Sequence, residues 1–456
     1  MFIITRILGA QTCMAIHSAG AKFKLLLLAC TVLLHLGSAY GRPKCEISQS
    51  SSDDNVRGLS EHSPTLLYFM PTRYADMKSA SRGLACSGVA LVAFDGESFK
   101  SAAWYDDVGL YLFVPALSQA TGLSVKTSAD LFLVITVAVA FVCGLCGFFL
   151  TAKTDLGRRM GIITFAVMSC LALVGGDVYA LSAAFIICCV PWLIVFMNHN
   201  RLTYGLLLAL FLVGLAAETA NIIRSHTGTA LMIFSVVIIT TAYQAKAAFR
   251  AVIAAVLCLG FLCGMLIYMH LYNQRDDFLR RQPGGVIQLA QGHVFWHSVY
   301  IGLAFIKNSE VPLYSDGIAD QKVHQLQPQA ALYSPEYEHI LKQQTLNLVR
   351  HMPMLVLENI SAKLLIVSFI CLAAMNFGVY ALILCRGCRG LNVAFWLAIG
   401  FTALPGIIVM PNPRYILSSI MFAVLYGAYS VECAARDPLA QTQLRVVRRF
   451  ILLGSH

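Results

Sequence analysis

Charge is what this sequence has least of. Only 12% of its 456 residues are Asp, Glu, Lys or Arg, and 58% are hydrophobic. A soluble globular chain carries about twice that share of charge, so water is not the main solvent here. Missing too are a P-loop, a GxGxxG turn, an HExxH helix and any internal repeat of solenoid length. Their absence closes the direct routes to a nucleotide-driven ATPase, a zinc protease or a repeat scaffold. There is no basic tract either: the formal charge of +10 is scattered as short clusters between apolar runs, so no nucleic-acid partner is expected. Cysteine is not scarce, at 15, but most thiols sit inside apolar runs, as at Cys143, Cys146, Cys188 and Cys189, where they act as small hydrophobes. The CxxC of Cys385 and Cys388 has no second pair to complete a zinc site.

What is present is a series of long apolar runs. A helix needs about 20 mainly apolar residues to cross the hydrocarbon layer with its backbone satisfied internally. Runs fall near 25–40, 130–151, 160–176, 178–197, 203–222, 228–243, 250–271, 362–384, 391–410 and 414–433. The reading is an all-α integral membrane protein, a single polytopic domain over 1–456 with about ten transmembrane helices. The first run, Leu25–Tyr40, is a retained anchor or a signal peptide with small residues at Gly37–Gly41. Lys153, Arg158, Arg159, Arg201, Lys246, Arg250, Arg386 and Arg389 lie in alternate short loops and mark the cytoplasmic side. Both termini are then cytoplasmic, and 41–128 and 272–354 are two large extracytoplasmic loops. In the second, Ser334-Pro-Glu-Tyr-Glu starts a helix. Its apolar residues Tyr337, Ile340, Leu341, Leu348 and Val349 predict an interfacial helix, lying on the membrane with that face down. Cys45 and Cys86 share the first loop, in a compartment where disulfides persist, and are expected to pair.

Asp106 and Asp107 are adjacent and preceded by Trp104 and Tyr105. Two carboxylates this close repel, which raises the pKa of one and offers a general base; the plainer alternative is a solvated turn. Asp177, in the turn Gly175–Tyr179, is either a site acid or a helix cap. Arg224 and Arg414, with His226, fall at outer helix ends where short loops avoid positive charge. A lipid phosphate is the anion at that depth, and snorkelling to headgroups is the other explanation. His293, Trp296, His297, Tyr314 and Asp316 in the second loop offer stacking surfaces and polar groups suited to a sugar, or serve only the loop's own structure.

Taken together these features resemble the GT-C superfamily of membrane glycosyltransferases, particularly bacterial relatives of protein O-mannosyltransferases and the lipid A aminoarabinose transferase. Asp106-Asp107 before Gly109-Leu-Tyr-Leu-Phe-Val-Pro115 looks like the acidic motif of the family's first outer loop, with Asp-Asp in place of Asp-Glu, and Asp177 matches a further acid in the next outer loop. The resemblance implies transfer of a sugar from a polyprenyl-phosphate donor to an extracytoplasmic lipid, glycan or protein acceptor, at a bacterial inner membrane among membrane lipids. It implies catalytic Asp106, Asp107 and Asp177, with Asp106 as base. It implies Arg224, His226 or Arg414 on the departing donor phosphate, while His293, Trp296, His297, Tyr314 and Asp316 are expected on substrate from their own chemistry. No organic cofactor is implied, and a divalent cation is allowed, with Asp106, Asp107 and Asp177 as its ligands. An O-antigen ligase or polymerase is an alternative, and a transporter or flippase another. A transporter predicts inverted repeats, broken helices or charges within the membrane, and Glu218 is the main acid inside an apolar run.

Overall fold

The computed structural model describes residues 71–102, 107–197, 203–241, 246–282, 294–376, 378–379 and 389–437. The first apolar run, Cys45, Asp106, His293, Arg386 and the tail beyond Asp437 lie outside the described residues. Among those described, eight helices are long and apolar enough to cross a membrane. In chain order with the shorter ones, the helices are α1 (Pro71–Ser87), α2 (Val108–Thr121), α3 (Val125–Thr151), α4 (Asp155–Gly175), α5 (Asp177–Phe196), α6 (Tyr204–Ile223) and α7 (Thr227–Thr241). They continue as α8 (Ala247–Arg280), α9 (Phe295–Gly302), α10 (Asp316–Leu326), α11 (Pro335–His351), α12 (Pro353–Met375), α13 (Arg389–Ile408) and α14 (Leu417–Arg436). The eight are α3, α4, α5, α6, α8, α12, α13 and α14. The run near 228–243 forms α7, whose 15 residues rise only about 22 Å, short of a full crossing. Several spans outrun their apolar stretch. Thus α8 extends for 34 residues to Arg280 and α12 begins at Pro353, because the backbone keeps its internal hydrogen bonds after the side chains turn polar.

Helix starts follow local chemistry. Ser124, Thr154 and Thr203 each accept a hydrogen bond from the backbone N–H three residues on, at 3.1, 3.0 and 3.2 Å, satisfying donors that the first turn leaves open. The bundle is built around α5 and α14, whose apolar windows are 83% and 78% buried; the other spans are 22–39% buried and turn most of their surface to lipid. Close approach relies on small residues. A Cβ at Gly214 of α6 would overlap the Leu257 carbonyl of α8, and one at Gly260 would overlap the Phe211 carbonyl. Phe395 stacks on Tyr426 at 5.0 Å and meets Phe234 edge-on at 4.9 Å, joining α13, α14 and α7.

At the opposite end of the bundle from the site described below, Glu432 of α14 holds the turn that leads into α4. Its carboxylate accepts from the N–H of Lys153 at 2.7 Å and of Thr154 at 3.2 Å, from the Thr154 hydroxyl, and from Arg436 at 2.6 Å. Lys363 of α12, inside a run read as purely apolar, is 1% exposed. Its ammonium donates to the carbonyls of Gly302 at 2.7 Å and Ile408 at 3.2 Å, at the C-terminal ends of α9 and α13, where the helix dipoles favour a cation. Asn359 adds a bond to the Leu303 carbonyl at 2.8 Å. These contacts tie the second loop to the membrane helices.

The two polar stretches fold. In the first, α1 and α2 flank a short antiparallel hairpin, Val92–Phe94 with Phe99–Ser101, a minor addition among the described residues to an otherwise all-α fold. Cys86 at the end of α1 is disulfide-bonded; Cys45, its expected partner, lies outside the described residues. In the second, α9, α10 and α11 enclose a core of their own, with Tyr300, Val323, Tyr337 and Leu341 buried. This corrects the expectation of an interfacial helix at 334–350. α11 begins as predicted, with Ser334 accepting from the Tyr337 N–H at 3.1 Å. Yet Tyr337, Ile340, Leu341 and Leu348 pack against α9 and α10, and Val349 is 42% exposed. An amphipathic stripe needs an apolar partner, and here neighbouring helices supply it instead of lipid.

Candidate functional site: a buried ion-pair cluster at the helix ends

Four helix ends meet where the first loop joins the bundle. Asp107 is the residue before α2, Asp177 the first of α5, Arg224 the C-cap of α6, and Tyr415 lies just before α14. Gly109 brings the first and third together: a Cβ there would sit 2.6 Å from Ile223 Cγ1, so only glycine lets α2 rest on the end of α6. Asp177 has φ +55° and follows Gly176 at φ +62°. Aspartate is one of the few residues that visit this left-handed region, at a cost of roughly 1–3 kcal/mol that surrounding contacts must offset. Its side chain is not the N-cap, which is Gly176; it bonds the adjacent Val178 N–H at 2.8 Å and pairs with Arg73. Asp177 thus satisfies a first-turn N–H of α5, as a capping acid does, and pairs with Arg73 as well.

Arg73, in the first turn of α1, bridges the two acids, pairing with Oδ2 of Asp107 and Oδ2 of Asp177. Arg224 Nη1 lies 3.5 Å from the other oxygen of Asp107. The aspartate side chains are 3% exposed and the arginines 14% and 10%, and these four charges sum to zero, the condition under which buried ions are tolerated. Burial alone would lower the Arg73 pKa, but Asp107 and Asp177 outweigh it and raise it above the ordinary value. Arg224 also faces two rings, its Cζ 5.1 Å from Tyr179 and 5.9 Å from Tyr415, with those rings 5.8 Å apart and edge-on. The Tyr415 hydroxyl meets that of Tyr314 at 3.2 Å. Burial first, then Tyr415, pushes the Tyr314 hydroxyl well above its usual range, and burial does the same for Tyr111, beside Asp107. The ion pairs and the two tyrosine pairs form one polar patch among apolar helix ends.

The other expected residues distribute unevenly. Asp107, Asp177 and Arg224 meet directly, and Tyr314 joins through Tyr415. Arg414 is exposed, its N–H on Asn412 Oδ1 at 3.0 Å; the ring in contact with Arg224 belongs to its neighbour Tyr415. His226 is half-buried, and its carbonyl accepts from Ala230 at 3.0 Å as α7 begins. His297 is buried, with Nδ1 2.8 Å from the Tyr337 hydroxyl and Nε2 3.0 Å from Asp316 Oδ1. Glu338 accepts from the N–H groups of Trp296 and His297 at 2.8 and 2.9 Å, and the Trp296 ring lies under Lys342 at 5.7 Å. His297 is thus engaged within the second loop's own core, and Trp296 packs half-buried against it. Asp316 keeps one face in solvent.

Sequence reasoning passed over Arg73, Tyr179 and Tyr415, which have no motif. The available clues were an arginine two residues after a proline in the first polar stretch, Pro71-Thr-Arg73, and a tyrosine beside Arg414. Among the described residues no group of three His, Cys, Asp or Glu side chains is placed to hold a metal ion. Comparison with family models, with characterised proteins and with solved structures yields no match to this chain.

Proposed function

We propose that the chain is a membrane glycosyltransferase of the GT-C type, moving a sugar from a polyprenyl-phosphate donor to an acceptor outside the cytoplasm. One observation carries the reading: Asp107, Asp177 and Arg224, each selected from sequence for glycosyl transfer, lie in one buried cluster at the helix ends. A lipid phosphate lies at the depth of such ends, and a guanidinium held against an aromatic pair is a suitable partner for it. In the reaction an acceptor hydroxyl oxygen attacks the anomeric carbon. The bond from that carbon to the phosphate oxygen breaks, and the phosphate leaves with the electron pair.

Asp107 pairs with Arg73 and lies 3.5 Å from Arg224, so both of its oxygens face guanidinium groups. The structural evidence therefore favours Asp107 and Asp177 as residues that position the arginines, with Arg224 and His226 nearest the phosphate. Asp106, the residue before Asp107, is the one assigned to take the acceptor proton. The test is transfer from a polyprenyl-phosphate sugar by the purified protein in bilayers. Asp106→Asn is expected to lower turnover by roughly 10²–10⁴, the usual contribution of general acid–base catalysis. Donor consumption by neither wild type nor variant, with lipid-linked sugar moved across the bilayer intact, would point to a flippase instead.

A further inference from the structure

Arg73 invites a question that glycosyl transfer does not answer. Two carboxylates converging on one point are an ordinary arrangement for a divalent cation, whose hard charge is matched by carboxylate oxygens. Here the point between them is taken: Arg73 pairs with an oxygen of each aspartate, and Arg224 stands 3.5 Å from the remaining oxygen of Asp107. A divalent ion added to these four side chains would leave two positive charges uncompensated where the carboxylates are 3% exposed, and an unpaired buried charge is strongly unfavourable. Nor do the described residues bring a third His, Cys, Asp or Glu to the place. A guanidinium suits the position in another way. Its planar fork presents two donors to two acceptors, it does not lose its proton in proteins, and it is tethered to α1.

We infer that Arg73 is a built-in cation, occupying the position a divalent ion takes between two carboxylates, holding Asp107 and Asp177 in register and leaving this centre without a divalent-cation site. The divalent ion allowed by the family resemblance therefore does not fit these residues. The assignment concerns the cluster itself and stands whichever reaction the cluster serves.

The test uses the full chain in bilayer nanodiscs with Mn²⁺ as probe, read by electron paramagnetic resonance and by thermal unfolding with and without chelator. The wild type is expected to unfold at the same temperature in either condition, and to hold no Mn²⁺ that Asp177→Asn releases. Arg73→Gln leaves two acids facing one remaining arginine. It should unfold at lower temperature, recover when Mn²⁺ is added, and bind Mn²⁺ at least about tenfold more tightly than wild type, an increment of ~1.4 kcal/mol. That gain should vanish in Arg73→Gln/Asp177→Asn. Arg73→Lys keeps the charge and should show no response to Mn²⁺, whereas rescue of Arg73→Gln by Mn²⁺ is what a purely structural arginine does not predict. Mn²⁺ bound by wild type and released by Asp177→Asn overturns the inference, as does an Arg73→Gln protein that folds and ignores Mn²⁺. Should Arg73→Gln fail to fold, the wild-type and Asp177→Asn titrations decide the matter by themselves.

Discussion

Replacing Asp107 by asparagine removes one negative charge from a cluster of two acids and two arginines while keeping the side chain's size. The carboxylate is 3% exposed, pairs with Arg73, and lies 3.5 Å from Arg224. At that separation, and at the effective dielectric of about 20 that suits such sites, one pair is worth roughly 5 kcal/mol before desolvation. The variant no longer desolvates a carboxylate, which returns part of this. Arg73 also keeps Asp177, and Arg224 keeps its two rings. The expected loss is therefore about 3 kcal/mol, the low end for breaking a buried pair, and an exposed loop acid would give less than about 0.5 kcal/mol. Unfolding of the purified protein, followed by circular dichroism in one detergent or nanodisc preparation, measures it. Asp107→Asn and Arg73→Gln should be less than additive when combined, with a coupling of roughly 0.5–3 kcal/mol, because they share a partner. Wild-type stability in Asp107→Asn, or strict additivity in the double variant, would refute the ion-pair reasoning.

Other consequences are open to direct measurement. Arg224→Ala should impair use of lipid donor more than Arg224→Lys, which keeps charge but loses the fork, whereas Arg414→Ala, at an exposed position, should change donor dependence little; equal effects at both positions would remove the distinction. Asp316 is held below the usual carboxylate range by its hydrogen bond from His297. A lowered folded pKa gives stability that is present above the unfolded value, about 3.9, and lost as pH falls through the folded one. Hydrogen exchange around Tyr314–Asp316 should therefore quicken below about pH 4 in wild type and show no such step in Asp316→Asn. With Asp316 75% exposed, the global effect should stay under about 1 kcal/mol. The Cys86 disulfide is expected to join Cys45. Cys45→Ser should expose a Cys86 thiol to labelling without reductant, and a Cys86 that stays blocked would assign another partner.

The membrane architecture was legible in the sequence because it rests on one-dimensional quantities. Eight apolar runs of spanning length became helices long enough to cross, and the start of α11 could be placed from Ser334, Pro335 and two glutamates alone. Backbone satisfaction in hydrocarbon leaves a long apolar segment almost no alternative to a helix. Local residue chemistry also singled out Asp107 as one of two adjacent carboxylates, Asp177 as an acid in a tight turn, and Arg224 as a charge at a helix end.

Which charges meet was not legible. Arg73 stands 34 residues before Asp107 and 104 before Asp177 (107 − 73 and 177 − 73), and nothing in its neighbourhood announces either partner. Gly109 against Ile223, the turn at Gly176-Asp177, and the packing of α5 beside α14 decide that meeting. The same holds for α11, whose stripe suits lipid or protein equally until α9 and α10 are seen beside it. It holds as well for Lys363, whose charge is tolerable only because the ends of α9 and α13 turn their carbonyls toward it. Hydropathy and capping act over a few residues and can be read along the chain, whereas pairing of buried charges depends on distances that only the folded bundle sets.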